Sequence, residues 1–212
     1  MSKAALIVVD MQNGFCHPDG SLPRLGLGLA DCDRAVRQSR LAVEQARAAG
    51  LPVIFTRHVY RPGRADEGLN LANLPGPDLA AVGGLAAGGW DGGVVDELEW
   101  TSEDLTVDKV RFDAFLWTSM DPLLQGLGVD QLLVCGVVTN ICVESTVRAA
   151  FMRDYRVTLL GDACAAQTPR LHEYGLAVMG ETGLANVVSL AEGYQVSEPE
   201  VEPSWAVSWG IW

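Results

Sequence analysis

Three residues far apart in the chain, Asp10, Lys109 and Cys142, carry the side chains that an acyl transfer needs. A carboxylate takes a thiol proton, the thiolate attacks a carbonyl, and an ammonium steadies both charges. Each also has a plain structural role open to it, since Asp turns chains, Lys solvates surfaces and free Cys is among the most buried residue types. Whether the fold brings the three together decides between these readings.

Cys142 stands in Leu132-Leu133-Val134-Cys135-Gly136-Val137-Val138-Thr139-Asn140-Ile141-Cys142-Val143. The apolar run ends at Gly136, a short polar turn follows, and a helix is expected from Asn140 to Asp154. Cys142 then lies in the first turn of that helix. Backbone N–H groups and the helix dipole favour thiolate there and can hold an oxyanion, so a lowered thiol pKa is expected.

The elements that must position these groups are legible as apolar runs. Ala4 to Val9 reads as a strand buried on both faces, closed by Asp10. Met11 to Asp33 reads as a long Gly- and Pro-containing loop, followed by an amphipathic helix between Asp33 as N-cap and Gly50. Its expected inner face is Ala35, Val36, Ala42, Val43, Ala46 and Ala49. Further strands are expected at Leu51 to Thr56, Leu105 to Val107, Gln131 to Cys135, Val157 to Leu160 and Asn186 to Val188. Helices are expected at about Met120 to Leu127 and Leu171 to Glu181, and residues 61 to 93 read as a surface excursion with at most short helical pieces.

Strands alternating with helices imply βαβ units and a parallel sheet, the α/β class, with the binding crevice at the carboxyl ends of the strands. Asp10, Lys109 and the turn before Cys142 each end a different strand, so all three point to one rim. Spacing alone leaves the strand order open.

Composition narrows the partners. A formal net charge of -12 argues against nucleic acid and anionic membrane surfaces, which call for clustered Lys and Arg, and favours a small-molecule substrate. No run approaches the roughly 18 apolar residues of a membrane span, and Met1-Ser2-Lys3 leads into a strand, so a cytoplasmic location is expected. Five cysteines, none in a Cys-x-x-Cys pair, and three scattered histidines point to neither a disulfide framework nor a structural zinc site. No metal or cofactor is expected.

Val8-Val9-Asp10-Met11-Gln12-Asn13-Gly14-Phe15, Asp108-Lys109-Val110-Arg111-Phe112-Asp113-Ala114-Phe115 and Gly136-Val137-Val138-Thr139-Asn140-Ile141-Cys142-Val143 together resemble the isochorismatase-like cysteine hydrolase superfamily. The likeness runs from about residue 4 to residue 190. It implies a Rossmann-like three-layer sandwich with a mainly parallel six-stranded sheet and a Cys-Asp-Lys triad. It also implies a cis peptide at Val138-Thr139 that shapes an oxyanion hole from Val138, Thr139 and Cys142.

The presence of Cys142 favours a cysteine-dependent amidohydrolase, cleaving a small amide, ureide or lactam through a thioester, over the vinyl-ether hydrolases of the superfamily. A non-catalytic binding protein on the same fold is the remaining alternative. The resemblance implies, for the nicotinamidase branch, a metal site made of Asp-x-His and a further His after the second strand. Thr56-Arg57-His58-Val59-Tyr60 here supplies one His only.

Candidate substrate-binding residues are Phe15, His58, Tyr60, Trp90, Phe115 and Asn140, with Arg57 or Arg111 as possible holders of a carboxylate. One catalytic domain is expected over residues 1–195. A tail over 196–212 carries Trp205, Trp209, Ile211 and Trp212 and is expected to pack on its own or a neighbouring subunit of a homo-oligomer, a dimer or tetramer.

Overall fold

The computed structural model describes residues 3–69 and 78–190. The 196–212 tail, the last residues of the 1–195 domain and part of the 61–93 excursion lie outside the described residues.

Each apolar run expected as a strand becomes one: β1 (Ala4–Val9), β2 (Val53–His58), β3 (Leu105–Lys109), β4 (Gln131–Val137), β5 (Arg156–Ala165) and β6 (Asn186–Val188). They form one sheet in the order β3-β2-β1-β4-β5-β6, with all neighbouring pairs parallel. Four strands differ from the expectation, β3 running on to Lys109 and β4 to Val137. β2 runs on through Arg57 and His58, and β5 extends to Ala165 so that Asp162 lies within it. Both extensions pair with neighbours, His58 beside Lys109 and Cys164 beside Gly136, so sheet pairing outweighs the polar residues that looked like stops.

Because side chains alternate along a strand, β1 sends Leu6 and Val8 to one face and Ala5, Ile7 and Val9 to the other. The first face is covered by α3 (Cys32–Ala48), which buries Ala35, Val36, Ser39, Ala42, Val43 and Ala46 at helical spacing. The second is covered by α4 (Met120–Leu127), α5 (Glu144–Phe151) and α6 (Pro169–Glu181), through Met120, Leu124, Val147, Ala150 and Met179. The result is three layers. A fully buried Leu or Ile contributes roughly 1.5–3 kcal/mol, and Leu6, Ile7, Ile54, Leu132 and Leu133 are all at most 1% exposed.

The helix over 32–48 begins one residue ahead of Asp33, the expected cap. Asp31 holds the N-cap with φ 54° and makes no side-chain capping bond. The long loop after β1 folds two short helices, α1 (Asn13–Cys16) and α2 (Ser21–Arg24). The excursion before β3 contains 3₁₀ turns at Trp90–Gly92 and Asp96–Leu98.

This strand order reverses direction between β1 and β4, and that is where a doubly wound sheet opens a crevice at its carboxyl edge. Gly136 lets the two strands close there. A Cβ at Gly136 would stand 2.1 Å from the Val9 carbonyl oxygen, and its φ of 118° suits no side chain. No helix among the described residues is long and apolar enough to cross a membrane.

Candidate active site

Asp10 follows the last residue of β1 and sits at φ 51°, unusual for a non-glycine residue. Its N–H donates to the Thr56 carbonyl and to Thr56 Oγ1, both at 3.2 Å, and Thr56 Oγ1 donates to Asp10 Oδ1 at 2.7 Å. The carboxylate is thereby turned back over the sheet edge. Lys109 ends β3, two strands away, and its side chain reaches across so that Nζ stands 2.7 Å from Asp10 Oδ2. Nζ also donates to the Arg111 carbonyl at 3.0 Å. Both side chains of this ion pair are fully buried.

Cys142 lies in a π-helical turn, Thr139–Val143, that runs on into α5. Single π turns recur where a helix must re-aim a functional side chain. The Val138 carbonyl accepts from Ile141 N–H at 3.0 Å and Val143 N–H at 3.2 Å, folding the turn over the end of β4. The thiol sulfur lies within 4.8 Å of an Asp10 carboxylate oxygen, and the charges of both Asp10 and Lys109 act on it. The three residues singled out in the sequence thus meet at the switch point, each no more than 2% exposed.

Two expectations are corrected. The cis peptide joins Val137 to Val138, one bond earlier than Val138-Thr139. This puts it at the junction of β4 with the π turn. The thiol pKa is not lowered but pushed up to about 12: burial disfavours the thiolate first of all, Asp10 adds to this, and the Lys109 charge offsets only part. The resting state is a neutral thiol beside a carboxylate–ammonium pair. Burial works against the Lys109 ammonium, yet the adjacent Asp10 charge outweighs it and holds the lysine above its ordinary value.

His58 and Tyr60 are also brought to the trio. A ligand atom of His58 lies within 4.8 Å of those of Asp10 and Cys142, and His58 Nε2 is 2.6 Å from Tyr60 Oη. Burial, then the charges of Lys109, Arg111 and Arg64, hold the imidazole well below its usual pKa, so it is neutral. Its Nδ1 is buried without a hydrogen-bond partner. Asp10, His58 and Cys142 are the group of metal-type ligands that converges among the described residues, but the Lys109 ammonium on Asp10 opposes a cation there.

The other candidates are placed differently. Phe115 packs in the apolar cluster that contains Cys142, with Arg153 4.8 Å from its ring, while Phe15 packs in the opposite cluster with Leu6 and Val8. Asn140 is half-buried, and its Oδ1 is without a partner. Trp90 is not brought to the trio. It lines a separate cleft with Arg24 and Asp91, stacks edge-on against His17 at 5.0 Å and remains 54% exposed, because its carbonyl is tied to Asn13 Nδ2. Arg57 forks onto Asp108 at 2.7 and 3.0 Å, and Arg111 donates to the carbonyls of Val110, Asp66 and Glu67. A cleft of about 480 Å³ lined in part by Lys109, Val59, Arg61, Asp66 and Trp117 opens beside the pair.

Sequence reasoning passed over Gln12 and Thr56. Gln12 is fully buried, accepts from His58 N–H at 2.7 Å and donates to the carbonyls of His58 and Gly92 at 3.1 and 3.0 Å. It joins the β1 loop, β2 and the excursion. Its signal was weak: a polar side chain three residues past the strand reads as loop surface.

The sequence matches the Isochorismatase domain family over residues 4–192. It is 34% identical over 178 residues to the ureidoacrylate amidohydrolase RutB of Acinetobacter baylyi, covering 79% of this chain and 72% of that one. Among solved structures it is similar to a cysteine hydrolase from Pseudomonas syringae pv. phaseolicola 1448A, with a TM-score of 0.78, 31% identity and 90% of each chain covered. It is also similar to N-carbamoylsarcosine amidase from Thermoplasma acidophilum, with a TM-score of 0.67, 28% identity and 93% and 99% of the two chains covered. These likenesses agree with the switch-point thiol in indicating a hydrolase of non-peptide C–N bonds, and the chain belongs to the isochorismatase family.

Proposed function

We propose that this enzyme hydrolyses a ureido or related small amide, with Cys142 as nucleophile, Asp10 as general base and acid, and Lys109 as the cation that steadies them. The observation that carries this reading is the convergence of thiol, carboxylate and ammonium at the switch point, buried from water. Since the resting thiol is neutral, proton transfer to Asp10 accompanies attack on the carbonyl carbon. Backbone N–H groups near Val138, Thr139 and Cys142 face the oxygen as it gains charge.

Protonated Asp10 then gives its proton to the departing nitrogen as the C–N bond breaks, leaving an acyl or carbamoyl thioester on Cys142. Asp10 next takes a proton from water, hydroxide adds to the thioester, and the thiol leaves reprotonated. The products are an amine or ammonia and a carboxylic or carbamic acid. Lys109 keeps its charge throughout.

His58, Tyr60, Asn140 and Phe115 form the substrate-facing wall in this reading. The unpartnered His58 Nδ1 and Asn140 Oδ1 are buried polar atoms of the kind a ureido group satisfies. The ureido class is supported by the named activities of the relatives. A cytoplasmic homo-oligomer acting without metal completes the proposal.

Ammonia release from a panel of ureido acids and simple amides tests it. Ureido acids should be turned over and Cys142→Ala should reduce the rate at least a thousandfold with an unchanged circular dichroism spectrum. Undiminished hydrolysis by Cys142→Ala would remove the reading.

A further inference from the structure

Cys16 and Cys32 belong neither to the trio nor to the switch point. Cys16 closes α1 and Cys32 opens α3. Cys32 Sγ donates to the Cys16 carbonyl at 3.7 Å, and Cys16 Sγ donates to Met11 Sδ at 3.7 Å, so the Cys32 sulfur lies against the residue that carries the second thiol. Both residues border adjoining clefts that share Asp33 and Arg37: one of about 180 Å³ lined by Cys16, His17 and Glu97, the other of about 460 Å³ lined by Cys32 and Arg34.

Their surroundings are unequal. Cys32 is half-buried and is the first residue of a 17-residue helix, where N–H groups and the dipole favour thiolate. The neighbouring Cys16 thiol lowers its pKa, against burial and the charges of Asp33 and Glu97. Cys16 is buried, and the neighbouring Cys32 thiol, followed by burial, holds its thiol well above the ordinary value. A half-buried thiol of lowered pKa beside a buried thiol of raised pKa is the arrangement of an attacking and a resolving cysteine.

We propose that Cys16 and Cys32 form a peroxide-oxidisable dithiol, a modification site separate from Cys142. The Cys32 thiolate attacks one peroxide oxygen, the O–O bond breaks, and the departing hydroxide leaves as water after taking up a proton. Cys32 is then a sulfenic acid. Cys16 sulfur attacks the Cys32 sulfur, the S–O bond breaks, and the departing hydroxide takes the Cys16 proton to give a second water. Two thiols lose two electrons between them, and one peroxide is reduced to two waters. The new bond ties α1 to the start of α3.

The test uses the full chain with Cys142→Ala, which removes the other reactive thiol, alone and combined with Cys16→Ser or Cys32→Ser. Each protein is treated with a small excess of hydrogen peroxide, alkylated without reductant, digested and mapped by mass spectrometry. The expected result is one intrachain Cys16–Cys32 linkage, reversed by dithiothreitol. With Cys16→Ser, Cys32 should stop at a dimedone-reactive sulfenic acid; with Cys32→Ser, Cys16 should stay reduced. If Cys16→Ser does not fold, the Cys142→Ala map decides by itself. Oxidation of Cys32 with Cys16 left free, a Cys32 link between two chains, or no loss of either thiol would each overturn the proposal.

Discussion

Lys109→Met is the sharpest test of the buried pair. Methionine is close to lysine in volume and fills the same space, so packing is largely kept while the charge is lost. Asp10 would keep its 2.7 Å bond from Thr56 but lose the ammonium at 2.7 Å, both side chains having been sealed from solvent. Removing one partner of such a pair costs about 3–5 kcal/mol, a large share of the roughly 5–15 kcal/mol by which domains are stable. The sign with pH is also determined. In the wild type, folded Lys109 holds its proton above its ordinary 10.5, so its contribution is complete below that pH and lost as pH rises beyond it. In Lys109→Met, the uncompensated buried carboxylate takes up a proton more readily than the unfolded one, so stability should rise as pH falls from 7 towards 5.

Urea unfolding followed by circular dichroism at both pH values measures these effects. Asp10→Asn and the double variant complete the cycle, and the double should be less destabilised than the sum of the singles by about 2 kcal/mol. A Lys109→Met cost below about 1 kcal/mol, or additivity of the two singles, would refute the reasoning, because it would mean that water reaches the pair.

Alkylation of Cys142 by iodoacetamide, read from its own peptide, should quicken about tenfold per pH unit from 7 to 10 without a plateau, because its thiol is pushed up to about 12. A plateau near pH 9 contradicts the assignment. His58→Gln should flatten the acid side of the stability profile. With its folded pKa well below 6.5, neutral His58 contributes fully above that pH and progressively less as pH falls, by up to about 1.4 kcal/mol per unit. Urea titrations between pH 6.5 and 5 that run parallel in wild type and variant would contradict this.

Most of the framework was legible in the chain because burial leaves a local trace. Met120 to Leu127 and Asn186 to Val188 have the expected bounds, and five of the six inner-face residues expected for α3 are buried. Ala49 is the exception, exposed at the helix end. The polar ends of β2 and β5 were not legible, since partner strands rather than their own residues hold His58 and Cys164 in the sheet.

By itself the sequence determined the α/β class, the rim to which Asp10, Lys109 and Cys142 belong, and the family that their motifs resemble. The class and the rim follow from local periodicity and from residue types at strand ends, and the resemblance from the motifs around the three residues. Only the tertiary structure decided the strand order that sets β1 beside β4, the seating of Asp10 by Thr56, and the role of Gln12 as a link between loops. It also reversed the expected thiol pKa. Helix position and a nearby Lys are visible in a sequence and favour thiolate. The depth of burial that outweighs them is set by residues arriving from every layer, and no stretch of chain records it.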